Sequence, residues 1–169
     1  RQIFGSLLGK ARFLSLFFSH AWVAGDRQFE FARRLGFSLS NIVFDCLSAD
    51  TNIFRPPSKT ELVERVTRKS TKYIYVGRLE EVKGVDILLE AWNHLIKSAP
   101  NSELLVLGAG SMIDSFIDVK NVTVIPFADP DVVRSYMIQA DCAVVPSKTE
   151  AWGVVIHEFA CCGLPIISA

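Results

Sequence analysis

Neither sign of charge is in excess: 18 Lys and Arg stand against 18 Asp and Glu, for a formal net charge of zero. A balanced chain lacks the general basic surface that nucleic acid requires, and no nucleic-acid partner is expected, although a local basic site stays open. Charged residues are sparse too, at 21%, against 50% hydrophobic ones and a mean hydropathy of +0.29. That balance excludes disorder over most of the 169 residues. Nothing repeats internally and nothing is of low complexity. The length corresponds to roughly one domain with part of another, enough to bury a core without disulfides.

There are only four cysteines, and Cys161 and Cys162 are adjacent, which makes a poor disulfide framework. Reduced thiols in a cytoplasmic protein are expected. His157 and Cys161, four apart, could share a helix face as metal ligands, but no second pair has ligand spacing, so helix packing is the expected role. No apolar run reaches the ~20 residues of a membrane span. Residues 3–18 come nearest, with Lys10 and Arg12 in their middle. They read as a half-buried helix, with a basic amphipathic helix making peripheral membrane contact as the alternative. The chain opens on Arg1 and closes inside the apolar run 164–169, so a piece of a longer protein, truncated at both ends, is expected.

From Tyr73 onward short apolar runs alternate with helical spacing. Residues 73–76, 104–107, 122–125, 142–145 and the pair Ile166-Ile167 read as strands. Helices are expected over about 85–96, 131–139 and 153–162, with a short helical stretch over 112–117. This alternation implies βαβ units, and wholly apolar strands imply a sheet covered on both faces. The fold class is α/β, a Rossmann-like doubly wound parallel sheet, with ligands expected beyond the carboxyl ends of its strands. Before Tyr73, residues 21–24 and 42–44 read as strands and residues 26–35 as a helix stopped by Gly36. The charged stretch with Pro56-Pro57 reads as a connector carrying a short helix over 61–66. The expected organisation is therefore one domain's tail over 1–57, a connector over 58–72 and the Rossmann-like domain over 73–169.

Two loops carry the chemistry. In the first, Gly77 lets a ligand approach the backbone, and Arg78 and Lys83 set two cations beside a helix start. A planar fork of donors with a point charge suits a diphosphate. A solvated turn whose cations pair with Glu80 and Glu81 is the equal alternative. In the last loop, Glu150 and Glu158 stand eight apart around a helix start, and the N–H groups of Trp152, Gly153 and Val154 would face what lies between them. That arrangement suits an elongated ligand with phosphates at the helix start and a hydroxyl-bearing ring at each carboxylate. Elsewhere, Gly108-Ala109-Gly110 lacks the third glycine of a dinucleotide loop and reads as a tight turn. Asp129-Pro130-Asp131 has a metal-binding spacing but reads as a helix cap followed by Pro at the first helical position. Ser147 lacks a nucleophile elbow.

Taken in order, Val76-Gly77-Arg78 with Lys83-Gly84-Val85-Asp86, Leu107-Gly108-Ala109-Gly110, Ala140-Asp141 with Val145-Pro146-Ser147, Glu150-x7-Glu158 and Gly163-Leu164-Pro165-Ile166-Ile167 resemble the C-terminal half of retaining glycosyltransferases of the GT-B fold, family 4. Residues 50–56 resemble that family's segment leaving its first domain. The resemblance implies a hexosyltransferase that moves a sugar from a nucleotide-diphosphate sugar to an unknown acceptor (glycan, lipid or small molecule), with no cofactor and no metal. It implies that residues 1–57 are the tail of the acceptor-side domain and that the fragment alone is inactive. Arg78 and Lys83 would neutralise the diphosphate, helped by Gly77 and the backbone of Trp152, Gly153 and Val154. Glu158 would hold the ribose, Phe127 would meet the base, and Glu150 would contact the donor sugar. A nucleotide-sugar-binding module without catalysis, or a GT-B-like epimerase, are the alternatives. Three positions depart from the family pattern: Ser48 stands for a usual Gly, Phe159 for a usual Ala after the second carboxylate, and Trp152 for a commoner Phe.

Overall fold

The structure, a computed structural model, describes residues 14–44, 47–150 and 152–169. Most of the expected helix over 3–18 lies outside the described residues, as do Cys46 and Ala151. The chain divides into two compact units, Arg1–Ser48 and Ala49–Ala169. Among the described residues no helix is long and apolar enough to cross a membrane.

The first unit holds β1 (Ala21–Trp22) and β2 (Ile42–Val43), paired in parallel, with α1 (Asp26–Arg34) between them in sequence. Val23, Ala32 and Ile42 form its small core, against which Phe29 and Phe37 pack. β1 is two residues and β2 one residue shorter than the apolar run each was read from, and each pairs only with the other.

The second unit is built on a five-stranded sheet. Its strands are β3 (Lys72–Val76), β4 (Glu103–Leu107), β5 (Val122–Ile125), β6 (Cys142–Val145) and β7 (Ile166–Ser168). They run in the order β5-β4-β3-β6-β7, all parallel. The helices are α2 (Lys59–Thr67), α3 (Val85–Ser98), α4 (Pro130–Met137) and α5 (Val154–Cys161). Along a strand alternate side chains face opposite sides of the sheet. Ile74, Leu105 and Leu107 therefore pack with Met137 of α4 and Phe159 of α5, while Tyr75, Leu104 and Val106 pack with Val85, Leu88 and Trp92 of α3. Both faces are covered, which is why these strands read as unbroken apolar runs. Phe159 is fully buried in the first of these layers, where its ring contributes ~2–3 kcal/mol of apolar burial. The space it needs is supplied beside Cys162 and Leu164, so the departure at this position is absorbed by packing.

The sequence puts a boundary near Pro57, whereas Ala49 and Phe54 are already buried in the second unit's core. The charged stretch that follows folds as α2. Ser58 caps it through a reciprocal box, its hydroxyl accepting from the Glu61 N–H while the Glu61 carboxylate accepts from the Ser58 N–H at 2.6 Å. Arg65 of α2 and Arg68 just beyond it reach Asp141 at 3.3 and 3.0 Å, and Asp141 also accepts from the Lys72 N–H at 2.8 Å. One carboxylate thus ties α2 to the starts of β3 and β6.

Candidate active site at the switch point of the sheet

Strand order reverses between β3 and β6, so their following loops leave in opposite directions and open a crevice. A cavity of about 240 Å³ lies there. Its lining includes Gly77, Arg78 and Lys83 from the first loop and Ser147, Glu150 and Gly153 from the second. A neighbouring cavity of about 310 Å³ shares Gly77 and Arg78 and is otherwise walled by Gly108, Ala109, Phe127 and Ala128 among others. Phe127 is 85% exposed, a flat apolar surface held at the rim.

Charge pairing in the crevice differs from a simple solvated turn. Lys83 Nζ lies 2.6 Å from Glu150 Oε2, and the Ser147 hydroxyl donates to the same oxygen at 3.3 Å. Glu80 accepts instead from Ser111, through its N–H at 3.2 Å and its hydroxyl at 2.8 Å. Glu81 meets Lys148. Arg78 forms no ion pair within 4.0 Å among the described residues, so its guanidinium is exposed at the junction of the two cavities. Its backbone is fixed from below: the Tyr75 hydroxyl donates to the Arg78 carbonyl at 2.7 Å. Burial first, then the nearby Glu150 carboxylate, push the Tyr75 phenol up to about 12 against the opposing pull of Arg78.

At the far side of the cavity α5 begins at Gly153, which stands in the left-handed region with φ 74 and gives the helix no side-chain cap. Gly153, Val154 and Val155 line the cavity, so the start of α5, whose leading N–H groups have no intrahelical partner, forms part of its wall. Trp152 does not line it; its half-buried ring meets His157 edge-on at 6.0 Å. Glu158 lies further along α5, half-buried, and lines neither cavity. Burial alone pushes its carboxyl above the usual range. The two carboxylates eight apart are therefore unequal: one is paired inside the crevice, the other is desolvated and has no ion-pair partner among the described residues.

The remaining motifs resolve as structure. The loop at Gly108-Ala109-Gly110 packs on the first loop, with the Leu79 N–H donating to the Ala109 carbonyl at 2.9 Å. A Cβ on Gly108 would lie 1.9 Å from the Gly77 carbonyl oxygen, and its φ of 147 also favours glycine. Asp129 occupies the cap position of α4 with Pro130 at the first helical position, as the sequence implies, although its side chain makes no capping hydrogen bond. Among the described residues no three His, Cys, Asp or Glu converge as a metal group. Sequence reasoning passed over Tyr75 and Lys148. Tyr75 read as one more strand residue, and its hydroxyl was the available signal. Lys148 showed none, because its partners Asp86 and Glu81 are remote in sequence.

Strand order at the switch point thus brings cations from one loop, and a carboxylate and a helix start from the other, to one crevice. Residues 70–169 match the family of group 1 glycosyl transferases, and the chain belongs to that family. It is 31% identical over 152 residues to the D-inositol 3-phosphate glycosyltransferase of Corynebacterium aurimucosum, covering 78% of this chain and 36% of that protein. It is 29% identical over 133 residues to the enzyme of the same name from Segniliparus rotundus, covering 71% and 30%. The chain thus spans about a third of the length of the curated relatives it matches. Among solved structures, WaaG, a glycosyltransferase involved in lipopolysaccharide biosynthesis, superposes with a TM-score of 0.72 at 21% identity, over 87% of this chain and 43% of that one. HepE of Anabaena, in complex with UDP and glucose, gives 0.68 at 18%, over 97% and 48%. These likenesses define the fold as GT-B type.

Proposed function

We propose that this chain carries the donor-binding side of a retaining hexosyltransferase of family 4, which moves a sugar from a nucleotide-diphosphate sugar to a glycan, lipid or small-molecule acceptor in the cytoplasm. The observation that carries the reading is the switch-point crevice, where Arg78, Lys83 and the uncapped start of α5 converge on one cavity beside Glu150. Family membership supports the transferase class. The solved complexes of HepE with UDP and glucose, and of the O-GlcNAc transferase GtfA with UDP and GlcNAc, support a nucleotide sugar as donor.

In this reading Arg78, Lys83, the Gly77 backbone and the N–H groups of Gly153 and Val154 hold the diphosphate, with Trp152 at the edge of that site. As the anomeric C–O bond breaks, its electron pair leaves on the diphosphate oxygen. Preorganised cations and N–H donors stabilise that growing charge, at about 3 kcal/mol for each well-placed donor. Two cations supply the charge a divalent metal would otherwise supply, so no metal is required. Glu150 contacts the donor sugar, Glu158 the ribose hydroxyls, and Phe127 stacks against the base in the second cavity. The residues before Ala49 belong to the acceptor side, and the chain alone binds donor without transferring it.

The test is turnover by the full protein. Incubated with nucleotide sugars and candidate acceptors, it is expected to release nucleoside diphosphate and to form a product with the donor's anomeric configuration, read by the anomeric proton coupling in NMR. Donor binding without any transfer would leave a binding module, and an inverted product would remove the retaining mechanism.

A further inference from the structure

Two lysines cross the crevice in opposite senses. Lys83 of the first loop reaches Glu150 of the second at 2.6 Å, and in an outer pairing Lys148 of the second reaches Asp86, in the first turn of α3, and Glu81 of the first loop at 2.7 and 3.3 Å. They differ in position. Lys83, Ser147 and Glu150 line the cavity, whereas Lys148, Glu81 and Asp86 do not. The outer pair is reinforced by the backbone, since the N–H groups of Lys148 and Thr149 both approach the Val82 carbonyl, at 3.1 and 3.4 Å. It therefore fixes the second loop on the first, while the inner pair joins Lys83 and Glu150 through their side chains.

We propose that the inner pair is an exchange latch: a donor diphosphate takes Lys83 from Glu150, and the carboxylate so released turns toward the donor sugar. This inference rests on the donor-site reading above. A Lys ammonium offers three N–H donors and no acceptor, so it can hold carboxylate and phosphate together only side by side, where the two anions repel. Lys83 and Glu150 keep 18% and 29% of their side-chain surface, so water screens the pair only in part and the competition is felt. Because the outer pair and the Val82 bonds hold the backbone, Glu150 leaves by side-chain rotation rather than by opening of the loop. Glu150 is thus unavailable to the sugar until phosphate has arrived, which couples recognition of the diphosphate to positioning of the carboxylate. A lone sugar does not release it.

The experiment is calorimetric titration of the full protein with UDP, GDP and ADP, on the wild type, Glu150→Gln and Lys148→Met, with thermal unfolding of each as the check of folding. Glu150→Gln is expected to bind the nucleoside diphosphate about five- to tenfold more tightly than the wild type, the factor for a partly screened ion pair. Its turnover is expected to fall, since the carboxylate is lost where it is needed. Lys148→Met, which breaks only the outer pair, is expected to show no tightening. Glu150→Ala removes the same acceptor and carries the same expectation should the Gln variant fail to fold. A wild type that binds while both Glu150 variants bind equally or more weakly overturns the latch and leaves the donor site standing. A well-folded wild type that binds none of the three overturns the donor-site reading and the latch with it.

Discussion

A Cβ placed on Gly84 would stand 1.9 Å from the carbonyl oxygen of Pro146, with backbone rather than a flexible side chain in the way. The two residues belong to the loops after β3 and β6, and this close approach is what brings Lys83 within reach of Glu150. Gly84 also stands in the left-handed region, with φ 69, between a short 3-10 turn and α3. Gly84→Ala must displace Pro146 and bear the left-handed cost as well, a loss of ~2–4 kcal/mol in urea unfolding. Gly163→Ala is the control. It shares a φ of 68 but meets no atom nearer than Pro57 Cδ at 4.0 Å, so its loss is ~1–2 kcal/mol. Equal losses at the two sites would show that loop contact is not the constraint.

Asp141 is expected to be the most sensitive charged residue of the second unit. Arg65, Arg68 and the Lys72 N–H converge on its carboxylate, and the two guanidinium groups are largely enclosed. Asp141→Ala leaves both cations without their carboxylate, at about 2–3 kcal/mol in equilibrium unfolding, between the exposed and buried limits for such pairs. Asp141→Asn keeps acceptor capacity for the Lys72 N–H and should lose less. A change below about 0.5 kcal/mol in the Ala variant would remove Asp141 as the tie between α2 and the sheet.

Glu158 gives a prediction of opposite sign. Burial raises its folded carboxyl above the unfolded value, so the native state holds the proton more tightly than the unfolded chain does. Below the unfolded value both states are protonated and nothing is lost. As pH rises through the unfolded value toward the raised folded one, stability falls, and the ionised carboxylate is a cost at neutral pH. Glu158→Gln is therefore expected to be more stable than the wild type at pH 7 and equal to it in acid, by a small amount because the residue is only partly buried. The same variant is expected to bind nucleotide more weakly. Gained stability with undiminished binding would leave Glu158 without a ligand.

The Tyr75 phenol is pushed up to about 12. Ultraviolet difference spectra should show a tyrosine ionisation near that pH, and this late step should vanish in Tyr75→Phe. By the same linkage, stability should fall as pH passes about 10, where the unfolded phenol ionises and the folded one does not. Because the hydroxyl holds the Arg78 carbonyl at 2.7 Å, Tyr75→Phe is also expected to weaken nucleotide binding severalfold. A spectrum unchanged in this range by Tyr75→Phe would contradict this burial.

Much of the sheet is legible in the sequence because a strand covered on both faces is nearly all apolar. Residues 142–145 begin and end where their apolar run does, and so do 122–125, although Thr123 among them is exposed. The ends of β1 and β2 are not legible, since an apolar run does not say how far a partner strand continues. The helix after Pro57 was partly hidden by its charges, although Ser58 and Glu61 spell its cap three residues apart. At the crevice, strand order alone brings Arg78, Lys83 and Glu150 to one edge, and that much follows from the βαβ alternation. Which carboxylate meets Lys83 does not follow. Glu80 and Glu81 are its near neighbours in sequence, yet it pairs with Glu150, 67 residues away, because Ser111 and Lys148 engage the nearer two.

The central claim, a diphosphate site made by Arg78, Lys83 and the start of α5, is tested most directly by one calorimetric comparison. The full protein and its Arg78→Ala, Lys83→Ala double variant are titrated with UDP, GDP and ADP, with the fold of both verified by unfolding. The account predicts that one of the three diphosphates binds the wild type and that binding falls at least a hundredfold in the double variant, two charge-assisted contacts being lost. Undiminished binding by a well-folded double variant would contradict it.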